Sequence, residues 1–280
     1  MKTRPSFAKL VQGYLGFLTG TGKSLATISS YRSDLLVLEN FLNARKKDFY
    51  ALNRKDFAAY LHWMEKEGLK MNTRRRKILS AKALVRYAVS RKKLAPSDLK
   101  FVRAPDRLER LPWIPMPSEW KKILAHVKAE TPIGLRNRLA LLLLSESALP
   151  IAELCSLRWD QWKGKKLHGV GKKARDIELS EEAQELLTRW RKLNSGKHLF
   201  PGFNRHGITT EKMTARGVEL YFRQLAKTAG FRNLKPKTLR HFAVTEWLRA
   251  DMPESEIQRR LGVHKNYGFH VYRKFLESRA

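Results

Sequence analysis

Apolar residues recur at helical spacing through the first third of the chain. Leu10, Val11, Tyr14, Leu15 and Leu18 form one stripe, and Ile28, Tyr31, Leu35, Leu38 and Leu42 form a second, after the candidate caps Ser24 and Thr27. Asn53 is a candidate cap for a third helix bearing Phe57, Tyr60, Leu61 and Met64. A fourth is predicted from Asn72 or Thr73 through Ile78, Ala81, Leu84, Val85, Ala88 and Val89. Four short amphipathic helices in succession predict a small helical bundle. Pro96, Pro105, Pro112, Pro115 and Pro117 then crowd one stretch, which places a domain boundary there. The expected division is a helical domain over residues 1–104, a proline-rich linker over 105–117 and a second domain over 118–280.

The second domain reads differently. Ser118 is expected to cap a helix containing Trp120, Ile123, Leu124 and Val127. The stretch from Leu135 to Leu144 is apolar all round and predicts a core helix. A short helix is expected from Ile151 to Leu157. The period then changes from helical to alternating. Residues 166–170 and 175–179 flank Gly171, Lys172, Lys173 and Ala174, a pattern that predicts a β-hairpin. Ser180 caps a helix with Leu186, Leu187 and Trp190 facing inward, and Thr214 opens another that stops at Ala229-Gly230. Helices over Thr238–Leu248 and Glu254–Leu261, the latter stopped by Gly262, precede a last segment from Phe269 to Ser278. The fold class expected is mainly α with a small antiparallel sheet.

Charge narrows the function. Among 280 residues, 57 Lys and Arg stand against 26 Asp and Glu, a formal charge of +31. Residues 1–105 hold 23 basic and 7 acidic side chains, so the excess is shared by both halves. Such a charge repels itself unless a polyanion is the partner, and nucleic acid leads. The single cysteine, Cys155, excludes a disulfide framework and a multi-cysteine metal site. No apolar run is long enough to cross a bilayer and no secretory signal is visible. A soluble, cytoplasmic and nucleoid-associated protein is expected, with no membrane, cofactor, metal or small-molecule substrate. Arg74, Arg75, Arg76 and Lys77 crowd the start of the fourth helix, where cations oppose the helix dipole. They are read as phosphate contacts.

Three stretches carry a family resemblance. Ala148-Leu149-Pro150-Ile151-Ala152-Glu153-Leu154, continuing to Leu157-Arg158-Trp159, is similar to the first box of the tyrosine recombinases, the phage-integrase and Xer class. Pro236-Lys237-Thr238-Leu239-Arg240-His241-Phe242-Ala243 resembles the second box. Leu261-Gly262-Val263-His264, followed by Tyr272, resembles the third. The order of elements resembles that family over nearly the whole chain. This implies a helical core-binding (SAM-like) domain followed by a catalytic-type domain, the two closing on duplex DNA. In the family a tyrosine hydroxyl attacks a DNA phosphodiester, forming a 3′-phosphotyrosyl link and freeing a 5′-hydroxyl without metal or nucleotide cofactor. Two arginines bind the phosphate oxygens, a hairpin lysine protonates the leaving oxygen, and two further residues assist.

On this chain the resemblance assigns the nucleophile to Tyr272, the second arginine to Arg240 and an assisting position to Lys237. Pro150 stands at the first arginine position, Val170 at the hairpin lysine position and Val263 at the third-box histidine position, with His264 one residue late. A proline carries no side-chain donor and no N–H. Glu153 keeps the family's structural role, a buried carboxylate bonded to backbone. Tyr272 is expected as a half-buried aromatic beside Phe269 and Phe275. The family continues past its tyrosine with a helix that docks into a neighbouring subunit, and eight residues follow Tyr272 here; cyclic subunit exchange is therefore not expected. The preferred reading is a catalytically degenerate duplex-DNA binder, acting as repressor, architectural factor or regulator of a mobile element, alone, with itself or with a partner recombinase. Its expected DNA contacts are Arg74, Arg75, Arg76, Lys77, Lys172, Lys173, Lys237 and Arg240. The alternative is an active recombinase with a rearranged site in which Lys172 or Lys173, His264 and Lys237 take over. A third reading is an RNA-binding basic protein.

Overall fold

The computed structural model describes residues 4–92, 94, 102–106, 111–171, 174–204, 206–231 and 233–279. The chain divides into two compact units, Met1–Glu109 and Arg110–Ala280. The first holds four helices: α1 (Phe7–Gly20), α2 (Leu25–Ala44), α3 (Arg54–Lys66) and α4 (Met71–Ser90). Ser24 caps α2 through the Thr27 N–H, and Asn53 caps α3 in a box with Asp56. The expected stripes face one core, in which Leu35, Leu38, Phe41, Phe57, Tyr60, Met64, Ile78 and Leu84 are almost fully buried. The fourth helix begins at Met71, slightly earlier than expected, with no side-chain cap at Lys70.

The second unit opens with α5 (Pro117–Ala125). Ser118 is not its cap. Pro117 takes the first turn, where its missing N–H costs nothing, and the Glu119 carboxylate accepts the Met116 N–H at 2.6 Å. Leu111, Trp113 and Ile114, within the stretch expected as linker, pack against this unit's core. The apolar helix α6 (Pro132–Ser147) runs through that core, and α7 (Ile151–Leu154) follows a left-handed Ala148. A three-stranded antiparallel sheet comes next, ordered β1 (Trp162–Lys163), β2 (Lys166–Val170), β3 (Arg175–Glu178). Leu167 pairs with Ile177 and Val170 with Arg175, with a register shift between them.

Ser180 caps α8 (Glu181–Leu193). A second hairpin, β4 (Pro201–Asn204) with β5 (Gly207–Lys212), was not expected. Its strands lack apolar alternation, and the rest of the unit anchors it. The buried Arg136 guanidinium lies 4.6 Å from the Phe203 ring centre and donates to the Pro201 carbonyl. Thr214 caps α9 (Ala215–Thr228). Helices α10 (Pro236–Arg249), α11 (Glu254–Leu261) and α12 (His270–Glu277) complete the unit. They share a small second core of Val244, Trp247, Ile257, Leu261, Phe269 and Tyr272. No helix among the described residues is long and apolar enough to cross a membrane.

Candidate phosphate site and basic surfaces

The three boxes meet in the second unit. Ala148 adopts φ 53°, and its carbonyl accepts from Arg240 Nη1. Arg240 Nη2 reaches the Leu261 carbonyl at 3.4 Å. One half-buried guanidinium thus joins the turn before α7, the face of α10 and the end of α11. Burial and then the charge of Arg175 lower the Arg240 pKa, while Glu153, Tyr272 and Tyr267 act in the other direction. These groups therefore sit within electrostatic reach of one another.

Among the described residues, Glu153 meets a side chain rather than the backbone partner expected. Its carboxylate accepts from Arg175 Nη2 at 2.6 Å, and the Arg175 side chain is 6% exposed. Gly171 is required beside this pair. It adopts φ 77°, and a Cβ there would lie 2.7 Å from both the Glu153 carboxyl and the Arg175 guanidinium.

Tyr272 is 5% exposed, more buried than expected. Its ring packs on Phe269, and its hydroxyl is 2.7 Å from His241 Nδ1. Burial and then Tyr267 push the Tyr272 hydroxyl above the ordinary phenol range. Burial, then Lys237 and Arg240, push the His241 imidazole down to about 4. The ring is neutral at neutral pH, and its Nε2 is buried with no hydrogen-bond partner among the described residues.

The positions that the resemblance matches to the family's other catalytic residues lie as follows. Pro150 is the N-cap of α7, with φ −61° and ψ 145°. Val170 points into the main core at 1% exposure, so that position supplies no donor. Val263 packs against the small core. His264 is exposed, its Nδ1 accepting the Asn266 N–H, and does not join the site. Lys172 and Lys173 lie outside the described residues. Lys237 is exposed and lines a groove of about 880 Å³ with Arg223, Lys227, Lys235 and Ile151, over a floor that includes Phe222.

The basic run of α4 is largely committed to its own unit. Lys77 is 6% exposed and ion-paired with Asp34 at 3.1 Å, which corrects its reading as a surface phosphate contact. Asp34, itself 1% exposed, also accepts from Arg76 at 2.6 Å and Ser80 at 2.8 Å. Arg74 is 12% exposed and pairs with Glu65 at 2.8 Å, and Arg75 donates to the Pro105 carbonyl. Arg76 alone of the four has a side chain as much as half exposed, at 50%. Acids from α2 and α3 thereby offset the cations at the unfavourable end of α4.

Sequence reading missed His241, Arg175, Asp34 and the groove cations Arg223, Lys227 and Lys235. His241 stands inside the second box, adjacent to Arg240, and that adjacency was the available signal. The rest depend on pairings across the fold.

A helical unit followed by a mainly helical unit with a small sheet, and three boxes meeting around Arg240 and Tyr272, is the order of elements that the tyrosine-recombinase resemblance implies. Residues 11–92 match the model of the phage integrase N-terminal SAM-like domain, and residues 116–273 match that of the phage integrase family. The chain belongs to the phage integrase family of tyrosine recombinases. It is 28% identical over 268 residues to tyrosine recombinase XerC of Xylella fastidiosa strain M23, covering 91% of this chain and 88% of the relative. It is 27% identical over 271 residues to tyrosine recombinase XerD of Listeria monocytogenes serotype 4b strain F2365, covering 90% and 89%. In fold it is similar to a lambda integrase dimer bound to a core site, with a TM-score of 0.74 at 18% identity over 95% of this chain and 94% of that one. The Tn1549 transposon integrase in complex with circular intermediate DNA has a similar fold, with a TM-score of 0.70 at 18% identity over 95% and 98%.

Proposed function

We propose that this chain binds duplex DNA and acts as a site-specific tyrosine recombinase through a rearranged site, with Tyr272 forming the phosphotyrosyl link. The observation that carries this is the Tyr272 hydroxyl held 2.7 Å from a neutral imidazole, in the electrostatic neighbourhood of Arg240. The named activity of relatives that align along nine-tenths of the chain supports it. The rearrangement differs from the expected one. Arg240 and Lys237 hold the phosphate, and the Arg175 charge, fixed by Glu153, adds to the field where negative charge builds in the transition state. The loss of one oxyanion donor at Pro150 costs roughly 3–4 kcal/mol, about 10²–10³ in rate. A missing leaving-group acid at Val170 costs roughly another 10²–10⁴, and the two losses need not add. Capture is therefore slow. The groove bearing Arg223, Lys227, Lys235 and Lys237 seats the DNA backbone. Assembly with a second copy or a partner recombinase on the DNA, and a place at the nucleoid in the cytoplasm, follow from that activity.

The test is retention of sheared genomic DNA on the purified chain, split between a native wash and denaturation in SDS, with Tyr272→Phe alongside. Discrete fragments that survive SDS with wild type and not with Tyr272→Phe support the reading. Fragments that all leave in SDS overturn the chemistry and keep the binding. They would point to the second reading, a repressor, architectural factor or regulator of a mobile element that binds duplex DNA without cleaving it; Pro150 and the buried Val170 favour that reading. Tighter binding to folded RNA than to duplex DNA in competition would overturn both.

A further inference from the structure

We propose that His241 is the proton acceptor for Tyr272, an inference that rests on the recombinase reading above. Attack on phosphorus requires the tyrosine to lose its proton, and burial makes that loss harder than in water. The base must be within hydrogen-bond reach of the hydroxyl. His241 Nδ1 is at 2.7 Å, and the two residues approach from α10 and α12, whose packing in the small core fixes the distance.

The charged surroundings give this base a second property. Lys237 and Arg240 on α10 both disfavour the imidazolium, and Tyr267 and Arg240 lie within electrostatic reach of the Tyr272 hydroxyl. A phosphodiester anion resting against Lys237 and Arg240 offsets both cations. The imidazole then becomes a stronger base when substrate arrives, and the tyrosine stays protonated when it does not.

The step balances as follows. The Tyr272 hydroxyl proton passes to His241 Nδ1 while the Oη–P bond forms. The P–O5′ bond breaks, and the 5′-oxygen takes a proton from water, since Val170 offers none. In the reverse step a 5′-hydroxyl attacks the phosphotyrosine and gives its proton back to the solvent hydroxide, while the Oη–P bond breaks and the imidazolium returns its proton to Tyr272 Oη. The proposal requires neutral His241 with its hydrogen on Nε2.

The test uses the full-length chain and sheared genomic DNA. His241→Asn presents an amide oxygen near the place of Nδ1, so it holds the tyrosine but takes no proton. It should lower the initial rate of SDS-resistant capture by about 10²-fold or more with native DNA retention unchanged. The fall in wild-type capture at acid pH, where the imidazole is protonated, should vanish in the variant. Wild-type capture matched by His241→Asn overturns this step alone. No capture by wild type overturns the recombinase reading, and this step with it. Nitrogen-15 NMR of the wild-type histidine rings stands independently of the variant's folding. A protonated Nε2 and bare Nδ1 at His241 support the step, and a proton on Nδ1 at neutral pH overturns it.

Discussion

The start of α4 and the groove beside α10 contain the same kinds of side chain put to different uses. In α4 four successive cations are adjacent in sequence, and neighbouring acids or carbonyls engage all of them. In the groove four cations come from α9 and the start of α10, scattered over fifteen positions, and converge on open space. A run of charge along a chain reports composition, whereas a binding surface depends on what the fold leaves unopposed. Lys77 and Lys237 make the contrast sharpest, one under 10% exposed and holding a core acid, the other exposed at the groove edge.

The largest test of this contrast is Asp34→Ala. It strands the Lys77 ammonium in the core, and removing one partner of a buried pair costs about 3–5 kcal/mol. Urea unfolding should show that loss, and a change below about 1 kcal/mol would make Asp34 a bystander. Next, Lys227→Glu with Lys235→Glu should weaken duplex binding by about 10–100-fold and reduce the slope of log K against log salt by about 2. An unchanged slope would remove the groove from the DNA interface. Third, stability should depend on pH through His241. The imidazole titrates at about 4 when folded and near the ordinary 6.5 when unfolded. The unfolded chain binds more protons between those values, so stability is fully present above pH 6.5 and is lost as pH falls toward 4. After discounting for solvent screening at a half-buried ring, the loss is about 1–2 kcal/mol, and His241→Asn should flatten it. A wild-type melting profile flat across that window would contradict the buried neutral ring. The smallest effect is expected from Arg76→Ala, below about 1 kcal/mol in stability with the salt slope unchanged. A drop in slope would return α4 to the DNA interface.

Local chemistry was legible in the sequence where it was self-contained. Ser24, Asn53, Ser180 and Thr214 cap the helices they were expected to cap because a cap and its N–H lie within three residues. The first hairpin was legible from its alternation and glycines. The hairpin β4–β5 was not, because a buried arginine 65 positions away supplies its anchor. The site divides the same way. Tyr272 and Arg240 stand in contiguous boxes. The Arg175–Glu153 pair spans 22 positions, His241–Tyr272 spans 31, and Asp34 meets its partners across more than 40. Each pairing is fixed by packing, which no local pattern records.

The backbone at Pro150 has a consequence for descent. Its φ of −61° and ψ of 145° belong to the extended region open to every residue. An arginine can adopt the same backbone angles. Proline and arginine codons can differ by a single middle base. An arginine at position 150 is therefore one nucleotide change away, at a turn that Arg240 already ties to α10 through the Ala148 carbonyl.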